Sequence, residues 1–476
     1  SAEPPERALG VSDRDFARLA GERLEIRRAA ADGRASRPAT ARERAHYLEA
    51  LTGVGAAAGD AQRAAFFATD GDVVAWFESE EEGRFNPIKR LRARLAGGRV
   101  EICPASACAA RSIDALVVSP DGAHAAFLTR DEGYFGPAAL FHWRVGSEEA
   151  RRLGEDLGRL GGCIAGRRAL YCVASAPLAP PHLLEIDIAS GASRVLFDPN
   201  AAFHARRLPR VERFVWPLAH GGEGVGHLIH PLDAGEGPAP LVIACYTTGG
   251  FLRGGEGDYL PLLALAARGI LVLECAFDDA MLQEIWKESR DGADYARRFQ
   301  NDPTEKAARL DAIERGVDAL VARGLADPAR VAMTGFSMGA YATAAALIER
   351  DSVADALLAT PTPGERTIVA LAPPAVQRRH VEAGRGPGSG VFDRHSLAAQ
   401  AGRVRAPVQL HGVEAEAACA VSDLTALLRE GVVAELYLYP GEHHYLEGAA
   451  ARLERYERGL EWLELWLMSR EAPASG

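Results

Sequence analysis

The chain has 476 residues, 48% of them apolar and 25% charged, which excludes wholesale disorder and favours two or three domains at about 100–200 residues each. Its 65 acidic side chains outweigh 54 arginines and lysines, and the net charge of −11 is spread along the chain, so neither a nucleic-acid binder nor an anionic-membrane binder is expected. Only Lys89, Lys287 and Lys306 are lysines, which leaves few candidates for a catalytic or phosphate-cradling amine. The start, Ser1-Ala2-Glu3-Pro4-Pro5-Glu6, lacks the charged and apolar regions of a signal peptide. From there to about residue 60 no regular pattern emerges.

Up to about residue 210 the apolar runs are short, alternating and separated by turns. Val73–Phe77, Ala115–Val118, Ala125–Leu128 and Leu184–Ile188 are predicted strands, with turns at Ala96-Gly97-Gly98, Ser119-Pro120-Asp121-Gly122 and Ser190-Gly191. This spacing predicts an all-β array, and the Ser-Pro-Asp-Gly turn suits the hairpin of a β-propeller blade. At about 40–50 residues per blade, the segment holds about four blades. Cys103 and Cys108 lie close enough to bridge a short loop, but two half-buried thiols are the expected state. The seven cysteines contain no Cys-x-x-Cys pair and do not suggest a disulfide-framed fold.

From about residue 225 strands alternate with helices. Predicted strands are Leu241–Thr247, Ile270–Ala276, Arg330–Thr334, Thr367–Leu371, Pro407–Leu410 and Ala434–Tyr439. Helical patterns cover Pro303–Arg323, Gly339–Arg350, Ser422–Arg429 and Ala449–Met468. Most of these strands are near-continuous apolar runs, as in a parallel sheet covered on both faces, so a doubly wound α/β domain is predicted. The polar, proline-containing stretch near Asp198–Arg213 sets the expected boundary, giving domains 1–210 and 211–476. The longest apolar run, Leu260 to Phe277, is broken by Arg268, Gly269 and Glu274 and is too short for a membrane span. A soluble protein is expected, cytoplasmic, with the periplasm left open.

The sharpest motif is Gly335-Phe336-Ser337-Met338-Gly339, which follows a predicted strand and opens a helix. This is the setting of a nucleophile elbow: the glycines let the chain turn sharply, Ser337 Oγ is lifted above the sheet edge, and the Met338 amide faces the site of a developing oxyanion. A base is expected in the loop after the last strand, where His443 and His444 are adjacent; His411 is a weaker competitor. The acid is expected after Val408–Leu410. No aspartate stands there, and Glu414, Glu416 and the more distant Asp423 are the candidates. Gly221–Gly226 is a turn rather than a dinucleotide loop, since His227 stands where a glycine would be needed. No P-loop and no HExxH motif occurs, and neither a metal nor a cofactor is expected.

Asp327-Pro328-Ala329-Arg330-Val331 running into Gly335–Gly339 resembles the prolyl oligopeptidase family of serine peptidases, and more narrowly the lasso peptide isopeptidases. Further matching stretches are Asp198-Pro199-Asn200, Arg210–Arg213, Gly250–Gly255 with Gly257-Asp258, Ala266–Gly269, Glu442-His443-His444 and Tyr456–Trp462 with Trp466-Leu467. The stretch from Cys103 to Cys108 and the Ser119 turn also fit. The resemblance covers about residue 85 to the end. It implies an α/β-hydrolase domain joined to a β-propeller, and a triad of Ser337, Glu414 and His444. It implies Met338 as one oxyanion donor and Thr248 at the position of the other, with Tyr246 two residues earlier. Phe251 and Arg253 would line the substrate cleft.

The family's propeller has about seven blades, so this one is incomplete: the missing blades are supplied by a separate chain or have been lost by processing or truncation. The implied reaction is cleavage of the isopeptide bond between the N-terminal amine and an Asp or Glu side chain of a lasso peptide. The rival readings are an oligopeptidase or acylaminoacyl peptidase acting on ordinary peptides, and an inactive protein that binds a peptide without cleaving it.

Overall fold

The computed structural model describes residues 64–468 apart from scattered positions and several stretches, the longest being 131–137, 253–260, 277–284, 368–373 and 382–387. Of the first 63 residues it describes two short paired strands, Arg27–Ala29 and Ser36–Pro38.

The largest element is an eight-stranded sheet. In chain order its strands are β1 (Val211–Pro217), β2 (Glu223–Ile229), β3 (Ala239–Tyr246), β4 (Leu271–Ala276), β5 (Ala326–Gly335), β6 (Asp355–Leu358), β7 (Val408–Val413) and β8 (Ala434–Tyr439). In space they lie in the order β1-β2-β4-β3-β5-β6-β7-β8. The first two pair antiparallel, β2 meets β4 antiparallel, and the rest of the sheet is parallel. The parallel strands need crossovers, and helices α1 (Leu262–Ala267), α2 (Pro303–Ala322), α3 (Met338–Glu349) and α4 (Ala417–Arg429) lie in them, while α5 (Ala449–Met468) follows the last strand.

Side-chain alternation explains why both faces of the sheet are apolar. Leu241, Ile243, Val331 and Met333 point to a core shared with α2, α3 and α4. Their neighbours Val242, Ala244 and Ala332 point the other way, to a core shared with α1 and α5. One expectation needs correcting. The strand beside β5 is Asp355–Leu358, whereas Thr367 is helical and residues 368–371 lie outside the described residues. The Asp-Ala-Leu-Leu segment carries no strand signature, yet all four residues are buried. Asp355 is held there by Trp462 Nε1, which donates to Oδ1 at 2.7 Å.

Before this sheet come three antiparallel sheets of adjacent strands. The first comprises Ala64–Asp70, Val73–Ser79, Lys89–Arg94, Val100–Ile102 and Ala109–Ala110. The second comprises Ser112–Val118, His124–Arg130, Ala138–Arg144 and Ala150–Arg152, and the third Arg159–Ala165, Ala169–Ala176, Ala179–Asp187 and Ser193–Phe197. They pack face to face: Phe77 and Leu91 meet Phe127 and Trp143, and Leu128 and Leu140 meet Leu170, Leu184 and Ile186. The expected fourth unit lies in the part of the chain outside the described residues. The Ser119 turn forms as its sequence requires. Ser119 Oγ donates to Asp121 Oδ1 at 2.6 Å, and Gly122 takes φ 67°.

The cysteines overturn an expectation. Cys103 and Cys108 form a disulfide rather than two thiols, because the turn Ser106–Cys108 folds the loop back and brings the two Cα atoms to 6.0 Å. A second disulfide joins Cys163 to Cys172 across adjacent strands. Replacing Cys103 and Cys108 together by alanine is expected to cost about 2 kcal/mol, the chain entropy released by opening so short a loop. Urea unfolding measures it; an unchanged midpoint would mean that the pair contributes nothing.

Candidate active site

Strand β5 ends at Gly335 and α3 begins at Met338, so two residues turn the chain from strand to helix. Ser337 is in that turn with φ 54° and ψ −117°, and among the described residues it alone of the non-glycines has positive φ. Such a conformation costs about 1–3 kcal/mol and persists only where the surroundings impose it. They do so here. A Cβ on Gly335 would lie 2.2 Å from the carbonyl carbon and oxygen of Gly339, so only glycine permits the strand and helix to approach this closely. Gly339 N donates to Phe336 O at 2.8 Å, and Ser337 N donates to Thr360 Oγ1 at 2.9 Å. Met338 is the first residue of α3, so its amide belongs to the turn whose N–H groups have no partner within the helix.

The loop after β8 brings His444 to the elbow. Its ring lies 4.6 Å, centroid to centroid, from that of Phe336, the residue before Ser337, and Tyr445 stands edge-on to it at 5.4 Å. His444 Nδ1 is 2.5 Å from Glu416 Oε1. A carboxylate only accepts, so Nδ1 carries a proton, and in the neutral imidazole Nε2 then keeps its lone pair. His443, the other member of the pair, is exposed.

The partner of His444 is therefore Glu416, and the expectation of Glu414 is corrected. Strand β7 runs on to Val413, and Glu414–Glu416 then form a single 3-10 turn ahead of α4. At three residues per turn, side chains two positions apart point about 120° away from each other, so only one of the two glutamates can face the histidine. Glu414 accepts instead from Gly441 N at 3.1 Å and braces the start of the histidine loop.

The remaining candidates separate cleanly. His411 is fully buried between Tyr439 Oη at 2.8 Å and Gln409 Oε1 at 2.9 Å. Burial, with Arg455 and Arg458 nearby, holds its pKa well below the usual histidine range, so it is a neutral structural residue. Asp423 is buried on α4 and accepts from Thr362 N, Thr362 Oγ1 and Ala398 N. Burial pushes its pKa up to about 7 against the opposing pull of these bonds. Phe251 packs edge-on to Phe203 at 5.1 Å, and Leu252 N donates to Pro177 O at 3.0 Å, which ties this loop to the third antiparallel sheet. Thr248 and Arg253 lie outside the described residues. Thr360, which the motif reading missed, is recognisable only once β6 is placed beside β5.

Among the described residues no helix is long and apolar enough to cross a membrane. No protein-family model matches the chain. The chain is 30% identical over 405 residues to the lasso peptide isopeptidase AtxE2 of Asticcacaulis excentricus, an alignment that covers 82% of this chain and 56% of that protein. It thus spans a little over half the length of the curated relative it matches. Among solved structures it is similar to AtxE2 isopeptidase, in a serine-to-alanine variant with Astexin3-dC4 bound, at TM-score 0.77 and 26% identity over 94% of this chain and 67% of that one. The acylaminoacyl peptidase of Pyrococcus horikoshii shares the fold at TM-score 0.64 and 16% identity, over 86% of this chain and 64% of that one.

Proposed function

We propose that this chain, a homologue of the lasso peptide isopeptidase AtxE2, is a serine hydrolase that opens the isopeptide bond between the N-terminal amine and an Asp or Glu side chain of a lasso peptide. The observation that carries the serine-hydrolase reading is the conjunction of Ser337 at φ 54° on the elbow with His444, held by Glu416, on the adjoining Phe336 ring, and the likeness to AtxE2 supports the lasso peptide substrate. The sheet order β1-β2-β4-β3-β5-β6-β7-β8, with the elbow after β5, supports an α/β-hydrolase domain over 211–476. The three stacked antiparallel sheets support an incomplete β-propeller within 1–210.

In this mechanism His444 Nε2 takes the proton of Ser337 Oγ as Oγ attacks the side-chain carbonyl of the isopeptide. Glu416 stabilises the imidazolium that forms. The Met338 amide, with Thr248 as the second donor, holds the oxyanion. Collapse of the tetrahedral intermediate breaks the C–N bond, and His444 protonates the departing N-terminal amine. A water molecule then attacks the acyl-enzyme, giving the linear peptide with one water added and Ser337 regenerated. Phe251 and Arg253 are assigned to substrate binding by the resemblance of the Gly250–Gly255 stretch to the isopeptidases, and the contact of Phe251 with Phe203 supports a place for its loop beside the antiparallel sheets. The disulfides Cys103–Cys108 and Cys163–Cys172 favour an oxidising compartment, the alternative to the cytoplasm.

The test is mass spectrometry of a threaded lasso peptide, astexin-3 first, incubated with the chain. A gain of one water at the macrocycle linkage is expected. Ser337→Ala and His444→Ala are each expected to lower turnover by about 10⁶-fold, since the triad acts as a unit. No gain, with a fluorophosphonate probe still labelling Ser337, would move the substrate to ordinary peptides. No labelling would leave a peptide-binding protein.

A further inference from the structure

The segment that follows β6 holds the elbow in place. Ala359 N donates to Gly335 O at 2.8 Å, and Thr360 Oγ1 receives the amide of Ser337 itself. That amide lies outside both the strand ladder and the helix, so a side chain supplies its partner. Thr360 is 3% exposed. Two residues on, Thr362 is clasped to Asp423: Thr362 N donates to Oδ2 at 2.9 Å and Thr362 Oγ1 to the same oxygen at 3.2 Å. Asp423 Oδ1 also accepts from Ala398 N at 3.0 Å, and Thr362 Oγ1 accepts from Leu397 N at 3.0 Å. Asp423 and Thr362 are 1% and 0% exposed, so water does not compete for these bonds.

Asp423 and Glu416 belong to one rigid element. Glu416 stands at the N-cap position of α4, and Asp423 follows seven residues later on the same helix, about 10 Å along its axis. The helix therefore anchors His444 through Glu416 and the Ser337 backbone through Asp423, Thr362 and Thr360.

We propose that Thr360 and Asp423 are positioning residues for Ser337, which reference the nucleophile to the same helix that carries the partner of the base. The inference rests on the reading of Ser337 as a nucleophile. Loss of the Thr360 hydroxyl leaves the Ser337 amide unpaired and lets the elbow relax from its strained φ. A misplacement of about 1 Å at a reacting atom costs on the order of 100-fold in rate.

The experiment measures the second-order rate of fluorophosphonate labelling per folded molecule, with kcat and KM on the cleaved peptide. Thr360→Val is expected to slow labelling and lower kcat by roughly 10–100-fold, with KM within about threefold; Thr360→Ser should stay within about threefold of the parent. Asp423→Asn should move in the same direction by a smaller factor, and it decides the matter if Thr360→Val does not fold. A purely structural role would lower the melting temperature while leaving the labelling rate of the folded fraction unchanged, and that result overturns the proposal. Parent protein that fails to label would overturn the serine reading itself, a separate outcome.

Discussion

Glu416→Ala is expected to lower kcat by roughly 10⁴-fold, the size of loss seen when the acid of a serine triad is removed, while Glu414→Ala changes it by less than about tenfold. The difference follows from the hydrogen bonds. Glu416 Oε1 meets His444 Nδ1 at 2.5 Å and selects the tautomer whose Nε2 can accept a proton. Without it the imidazole keeps, among the described residues, its packing on Phe336 and Tyr445, neither of which distinguishes the two tautomers. Glu414 touches the same loop one step removed, through the backbone of Gly441. Its loss loosens the loop and leaves the charge partner of the histidine in place. Steady-state kinetics on the two variants decides between them. If Glu414→Ala proved the more damaging, the histidine loop would have to adopt a different seat in the working enzyme.

Gly335→Ala is expected to be the most disruptive single substitution at the elbow. The added methyl would sit 2.2 Å from the backbone carbon and oxygen of Gly339 and 2.7 Å from Ala340 N. These are backbone atoms of α3, which has Ala340, Ala344 and Leu347 in the core, so the helix cannot retreat without opening that packing. A loss of at least about 3 kcal/mol is expected, as for severe overpacking. Probe labelling per folded molecule is expected to fall by at least about 100-fold, because the turn that presents Ser337 must widen. Gly441→Ala is the control. That glycine has φ 73° with open space where a Cβ would stand, so its cost is one of backbone conformation alone, about 1 kcal/mol. Thermal unfolding and labelling of the two variants separate the effects. Labelling of Gly335→Ala at the parent rate would mean that the elbow tolerates a wider turn than its contacts indicate.

Much of the architecture was legible because it is written in short-range patterns. The run Arg330–Gly335 into Ser337 and Met338 encodes strand, turn and helix within ten residues, and the glycines stand where backbone must pass backbone. Continuous apolar runs such as Leu241–Cys245 announce a strand covered on both faces, since neither face can be polar. The Ser119 turn needs only its own side chains. The histidine of the last loop was narrowed to two neighbours by its place in the chain.

What the tertiary structure decided are choices among near neighbours, and each depends on contacts between distant residues. Glu414 and Glu416 differ by two positions in one turn, and only the phase of that turn relative to β8 selects the one that meets His444. Asp355–Leu358 carries no strand signature and became a strand because β5 and β7 left an apolar slot between them and Trp462, more than 100 residues away, supplied a donor for Asp355. Cys103 and Cys108 are bonded because a turn closes between them. Local sequence determines which elements form and which residue types stand at their ends. Which of two equivalent side chains faces a partner depends on the register and rotation of packed elements, a long-range property that local pattern does not contain.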